Sequence, residues 1–443
     1  MSDADRNNPI ARFFKAASDI ESEELAATLV SFLFIFALMF AYNILKPVRD
    51  AMAPDWSDVG VALLWTYQFA LSAVAVSIYG IAVSRLRLKH LIPGVYGFFA
   101  VSFVLFNVGS RFVEDGEFID KSFYLWISLF SLFHVSVFWS LMSDLFTKKQ
   151  ALRLFAIIAS GASIGTIAGS LATLGLVKAL GTTNLMLLAA IILVAIVPLV
   201  GVLQRLKVTR LQADTIAFEN DAETVVSGSP FAGFREFVRN PFLLGIAVFI
   251  MLYTSVGSFA YFEIKNLLEP FDRDTRAQIW ASINLSVNSI AFVTAWLATG
   301  RIASRFGLAK TLPLVPVAVA VVFLVVAVNP LLATVIASWV VLKSGNYGIT
   351  RPGREMLYTM VAREDRFKAK PVIDIVVYRG GDALSGWAFA GLTAGLSLGL
   401  GAVAAIGALI AVIWALVGAH LGKIYDHAAA GSDQVAAGAE EGV

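Results

Sequence analysis

Residues 80–93 read GIAVSRLRLKHLIP, and residues 300–313 read GRIASRFGLAKTLP. Gly80, Ser84, Arg85, Leu88 and Pro93 recur as Gly300, Ser304, Arg305, Leu308 and Pro313, all at an offset of 220. A register held through so many positions points to an internal duplication. Both copies join one apolar segment to the next, so each half of the chain repeats the same layout of apolar segments.

Working outward, the composition is that of a membrane protein. The 443 residues are 58% hydrophobic and 15% charged, with a mean hydropathy of +0.77. A soluble domain carries more charge and less apolar surface. A bilayer core needs about 20 apolar residues in a helix. Segments of that kind fall at 25–45, 59–83, 90–109, 122–143, 154–177, 184–204, 241–263, 277–299, 311–328, 331–350, 372–394 and 397–420. The sequence therefore predicts an all-α membrane protein. Twelve transmembrane helices would form two pseudo-symmetric six-helix bundles.

Loop charge fits this count. With a cytoplasmic N-terminus, the cytoplasmic loops are 84–89, 144–153, 205–240, 300–310 and 351–371, and they hold most loop Lys and Arg. The opposite loop 110–121 is acidic, with Glu114, Asp115, Glu117 and Asp120. This is the positive-inside pattern. It predicts both termini in the cytoplasm and residence in a bacterial inner membrane. The predicted organisation is an N-terminal cytoplasmic segment 1–24, a bundle 25–204, a linker 205–240, a second bundle 241–420 and a disordered tail 421–443. Arg12, Phe13, Phe14 and Lys15 suggest a short helix, lying on the membrane surface or simply solvated.

Several chemistries are absent from the sequence. There is no cysteine, and His90, His134, His420 and His427 lack metal-ligand spacing. No metal or other cofactor is expected. No phosphate-binding loop and no serine–histidine constellation appears, which argues against an enzyme. The net charge of +2 names no partner and gives no sign of nucleic-acid binding. The expected partners are the lipid bilayer and a small solute, with the chain a monomer.

The Gly-xxx-Ser-Arg pattern resembles a degraded form of the loop signature of the major facilitator superfamily. In that resemblance the arginine pairs across a cytoplasmic gate. The offset of 220 also carries Asp144 onto Glu364. Arg85, Asp144, Arg305 and Glu364 are thus candidate gate ion pairs, against the alternative of ordinary solvated loop charge. Gly161, Gly165 and Gly169 share one helix face and predict close helix packing.

Ionisable residues inside spans cost several kcal/mol unless paired or wetted. The first span ends with Lys46, Pro47, Arg49 and Asp50. The seventh ends with Glu263 and Lys265, and the tenth with Arg351, Arg354 and Glu355. The eleventh carries Asp374, Arg379 and Asp382. Cations at a watery cavity suit phosphate or carboxylate oxygens. The alternatives are interfacial anchoring for Lys46, Arg49 and Asp50 and a self-contained pair for Arg379 and Asp382.

Several stretches together resemble the bacterial and plastid ATP/ADP (NTP/NDP exchange) translocases. They are Leu45-Lys46-Pro47-Val48-Arg49-Asp50, Phe138-Trp139-Ser140 leading to residues 150–155, Tyr261-Phe262-Glu263, Arg351-Pro352-Gly353-Arg354-Glu355, and Lys368-Ala369-Lys370-Pro371 with Tyr378-Arg379-Gly380-Gly381-Asp382. The resemblance implies nucleotide exchange by alternating access. Arg49 would be the first-helix cation, and Lys368, Lys370, Arg379 and Asp382 the late charged cluster. The chain departs from the family in its shorter length and in Gln150, where an acid is expected. A competing reading is a proton-coupled carrier or exporter of another organic anion, drug or lipid, with Asp382 or Glu263 taking the proton.

Overall fold

The structure is a computed structural model that describes residues 20, 21, 23–85, 88–113, 115–211, 239–297, 305–361 and 373–440. Among these residues all regular structure is helical. α1 is Leu25–Met52, α2 Asp58–Arg85, α3 Leu88–Phe112 and α4 Gly116–Leu145. Lys148–Leu206 is one element broken at Gly181, and its two arms are α5 and α6. α7 is Pro241–Leu268, α8 Arg273–Leu297 and α9 Leu308–Val328. α10 joins Leu332–Gly345 to Arg351–Leu357 through a π turn, Asn346–Thr350. α11 is Tyr378–Ala390, flanked by π turns at Ile373–Val377 and Gly391–Gly395, and α12 is Leu400–Glu440.

The twelve spans read from the sequence are all present as helices. Eight helices are long and apolar enough to cross a bilayer by length and composition alone, and one of them is the two-armed element. The other three have physical reasons for falling short. α8 opens with Arg273, Asp274 and Arg276. α10 and α11 are interrupted by π turns.

Three boundaries differ from expectation. Residues 178–183 form no loop, because the helix only breaks at Gly181, whose φ of 77° suits a residue without Cβ. The linker begins as helix, through Leu206 and a π turn to Leu211. The tail is helical to Glu440 instead of disordered. Its run of alanines carries the strongest intrinsic helix propensity. Residues 12–15, 212–238 and the repeat residues Gly300 and Ser304 lie outside the described residues.

Helix pairing follows the repeat. α1 packs on α5 and α7 on α11, while α3 packs on α6 and α9 on α12. The α1–α5 contact is set by glycine. A Cβ at Gly161 would lie 2.8 Å from the Phe32 carbonyl oxygen, and one at Gly169 would lie 2.5 Å from that of Phe40. Gly165 meets Phe36 in the same way. Spacing by one turn thus lays one helix backbone directly on the other.

Two compact units emerge, and each takes a short segment from the opposite half of the sequence. One comprises residues 1–52, 74–227 and 273–285; the other comprises 53–73, 228–272 and 286–443. In the first unit, the start of α8 is tied to first-half helices. Arg273 pairs with Asp120 at 2.6 Å, Asp274 accepts from the Thr182 amide, and Gln278 donates to the Leu174 carbonyl. In the second, the start of α2 is tied to α7 and α11. Lys265 pairs with Asp58 at 3.1 Å, and Asn266 and Thr393 donate to the same carboxylate. Trp387 donates to Thr66, and Trp65 rests on Tyr261 and Phe262.

Two outcomes test this packing. Gly165→Ala places a methyl group against the Phe36 backbone and lowers stability by about 1–3 kcal/mol. Gly175→Ala has nothing within 4 Å and leaves stability level or raises it, by up to about 1 kcal/mol. Thermal unfolding in detergent separates the two. In the Asp58 cluster, Asp58→Ala and Lys265→Ala each destabilise strongly. Their double variant costs less than the two combined by about 1 kcal/mol or more, measured as a cycle of unfolding midpoints.

Candidate functional site

In the first unit, α1 carries its charges around Pro47 without leaving the helix, which runs on to Met52. Arg49 donates through Nε and Nη2 to Asp50 Oδ1 at 2.9 and 2.6 Å, and through Nη1 to Ser128 Oγ at 3.2 Å. Its guanidinium also lies over the Tyr124 ring. Asp50 is buried, so it depends on Arg49 for its counter-charge. Lys46 is different. It is half-buried and donates to the neutral Asn284 amide oxygen at 2.9 Å, and it forms no ion pair among the described residues.

In the second unit, α7, α10 and α11 bring an equivalent chemistry together. Lys343 of α10 donates to the Tyr253 hydroxyl at 3.1 Å. Its ammonium lies 5.0 Å from the centre of that ring and 4.5 Å from that of Trp339. Asn346 donates to the same hydroxyl at 3.1 Å. The ring of Tyr378 of α11 has its centre 6.1 Å from that of Tyr253. Gly257 makes room for the lysine, since a Cβ there would fall 3.3 Å from Nζ. Asn346 opens the π turn of α10, a local widening that recurs at functional sites. Cation–π contact offsets part of the cost of an ammonium within a span, and among the described residues Lys343 forms no ion pair with a carboxylate.

The other predicted residues are placed as follows. Lys265 belongs to the Asp58 cluster. Glu263 is fully buried, and neither carboxylate oxygen has a hydrogen-bond partner among the described residues. Arg354 and Glu355 pair at 3.3 Å, and Arg351 is exposed. Arg379 and Asp382 face each other at 4.0 Å, one turn apart on α11, and are both partly shielded. Lys368, Lys370 and Glu364 lie outside the described residues. Of the gate candidates, Asp144 pairs with Lys207 at 3.0 Å, both on first-half helices, instead of with an arginine of the repeat. Arg305 is exposed and lies over Phe306, while the Arg85 side chain is outside the described residues. Asp58–Lys265 and Asp120–Arg273 are ion pairs that join the two sequence halves.

Sequence reasoning passed over Lys343, although its signal was available: a lone lysine in an apolar span with no acid within a helical turn. Asn284, Tyr253, Asn346 and Ser128 carried no comparable signal, because polar residues of these types are common in spans. Among the described residues no three His, Cys, Asp or Glu cluster to hold a metal ion.

With this geometry in hand, comparison with known proteins places the fold. No curated protein matches the chain. Among solved structures, the nucleoside transporter NupG superimposes with a TM-score of 0.64 at 14% identity, covering 90% of this chain and 99% of that one. A bacterial homolog of the human lysosomal transporter Spinster, in an inward-facing and occupied conformation, gives 0.61 at 15% identity, covering 92% and 98%. A POT family transporter in complex with 5-aminolevulinic acid gives 0.62 at 12% identity, covering 89% and 96%. Identities this low speak for the fold alone. The sequence pattern of the Major Facilitator Superfamily matches residues 27–366. The chain is therefore a multi-pass membrane transporter and belongs to the Major Facilitator Superfamily.

Proposed function

We propose that the protein is a secondary transporter that moves a small anionic solute by alternating access, and that the solute is a nucleotide or a close relative. The observation that carries the reading is Lys343. A cation held within a span, on a phenol hydroxyl and two aromatic rings, and in no ion pair among the described residues, is short of the counter-charge that such surroundings demand. A bound anion supplies it. Lys46 on Asn284 repeats the arrangement on α1. Arg49 and Arg379 are already neutralised by Asp50 and Asp382, so their role is to shape the field around the site.

The nucleotide class is supported by two features. The rings of Tyr253, Trp339 and Tyr378 around Lys343 offer faces on which a planar base can stack. The stretches around Lys46, Arg354 and Arg379 also resemble those of NTP/NDP exchangers. The gate is read as the Asp58 and Asp120 clusters, which must part when the opposite access opens. The membrane is read as a bacterial inner membrane with both termini in the cytoplasm, from the loop charges.

A thermal-shift screen of purified protein against nucleoside tri- and diphosphates, other organic phosphates and lipids tests the solute class. Stabilisation by nucleotides is expected, and stabilisation by lipids alone overturns the reading. In proteoliposomes loaded with ADP, Lys343→Ala and Lys46→Ala each lower ATP uptake by roughly 10–100-fold, the worth of one charge-assisted hydrogen bond. Lys343→Arg retains part of the uptake. Both alanine variants keep near wild-type melting points, because neither lysine holds an acid in place.

A further inference from the structure

We propose that the groove between the start of α7 and the end of α12 binds one anionic glycerophospholipid. An acyl chain lies in the groove, and the phosphate meets the basic residues at its outer end. The inference goes beyond the solute reading and does not depend on it.

Both helices belong to the same compact unit, and they run antiparallel where they meet. A Cβ at Gly245 would lie 2.8 Å from Leu421, and one at Gly418 would lie 2.8 Å from the Phe249 ring. Beside this seam is an open-sided groove of about 720 Å³, walled by Phe242, Val248, Leu416 and Leu421. Its volume is within the range of small-molecule sites, about 300–1,000 Å³. Val248 and Leu416 are exposed, so the groove opens outward from the helix pair. From Asn240 to Val248 it follows α7 for about 12 Å, most of the depth of one leaflet in a hydrocarbon core about 30 Å thick. In a bilayer, an apolar groove of that length running inward from the end of a span is filled by an acyl chain.

The outer end selects the headgroup. Asn240 and His420 are the polar residues of the lining. Asn240 caps α7 through Oδ1, which accepts from the Phe242 and Leu243 amides, and the cap does not use its Nδ2 N–H groups. Arg239 precedes it, and Lys423 stands one turn beyond His420 on α12. Arg239, His420 and Lys423 are all exposed, and none forms an ion pair among the described residues. The acid that follows on α12, Asp426, is turned to α9, where its two oxygens accept from the Leu308 and Ala309 amides at 2.9 Å. Among the described residues no acid lines the groove. The charge at this end is therefore positive, and its N–H donors suit phosphate oxygens. On the reading of the loop charges this end faces the cytoplasm, the leaflet whose anionic lipids attract basic side chains next to a span.

Native mass spectrometry of the purified full chain, offered equal amounts of phosphatidylglycerol and phosphatidylcholine with identical acyl chains, tests this. The wild type retains phosphatidylglycerol in preference. Arg239→Gln and Lys423→Gln each lower that preference by about fivefold, the worth of one basic side chain beside anionic lipid. Val248→Trp fills the groove, leaves the charges in place and lowers retention of both lipids. Equal retention of the two lipids by the wild type overturns the proposal, as does a preference that survives both charge substitutions. Undiminished retention by Val248→Trp puts the lipid elsewhere on the surface and also overturns it. A dimer that holds no lipid and is broken by Val248→Trp would make the occupant a second copy of the chain. Melting points in detergent without added lipid stay near the wild-type value for the charge variants, which decide the headgroup even if Val248→Trp fails to fold.

Discussion

Hydrocarbon tolerates a charge only when something answers it, and the arrangement of this molecule follows from how each charge is answered. Arg49 has Asp50, Arg379 has Asp382, and Lys265 has Asp58. Lys46 and Lys343 have neutral partners, an amide oxygen and a phenol. Glu263 accepts from no donor among the described residues. These are three grades of satisfaction, and they divide the charges by role. A closed pair holds structure, and on the proposed reading a half-satisfied cation is the one that takes an anion.

The same constraint explains where the helices touch. Lipid tails are as apolar as the side chains, so helix association depends on close packing and polar contacts more than on expulsion of water. Glycine supplies the first on α5, where Gly161, Gly165 and Gly169 meet the carbonyls of Phe32, Phe36 and Phe40. Polar contacts supply the second between sequence halves, through Asp58 and Asp120. The contrast matters mechanically. A backbone-on-backbone glycine seam offers no alternative register without strain, while a hydrogen-bonded cluster can exchange its partners for water. The first joins helices of one half, and the second joins the two halves of the sequence.

Much of this was legible beforehand. The spans, the duplication and the glycine face follow from hydropathy and spacing, which are properties of single helices. The charges of α1, α7, α10 and α11 were visible because ionisable residues are rare in spans. What could not be read was pairing. Asp144 was assigned to a gate by its offset from Glu364, yet Lys207, sixty-three positions later, reaches it first. Lys265 looked like a substrate ligand until Asp58, far earlier in the chain, took it up. Partners in space depend on helix rotation and tilt, which no periodicity records. The compact units make the same point. The halves of the sequence are real as repeats, but the starts of α2 and α8 pack with the opposite half.

On the proposed reading, an anion bound at Lys46 brings negative charge to the unit that carries Asp50, and one bound at Lys343 brings it to the unit that carries Asp382; each acid is committed to an arginine. A carrier that moved such a solute alone would drag net charge across the membrane in every cycle, against or with the potential, at about 2.3 kcal/mol per charge per 100 mV. On the proposed reading, exchange of one nucleotide for another removes most of that term, so an exchanger needs fewer fixed counter-charges than a carrier that moves its solute in one direction.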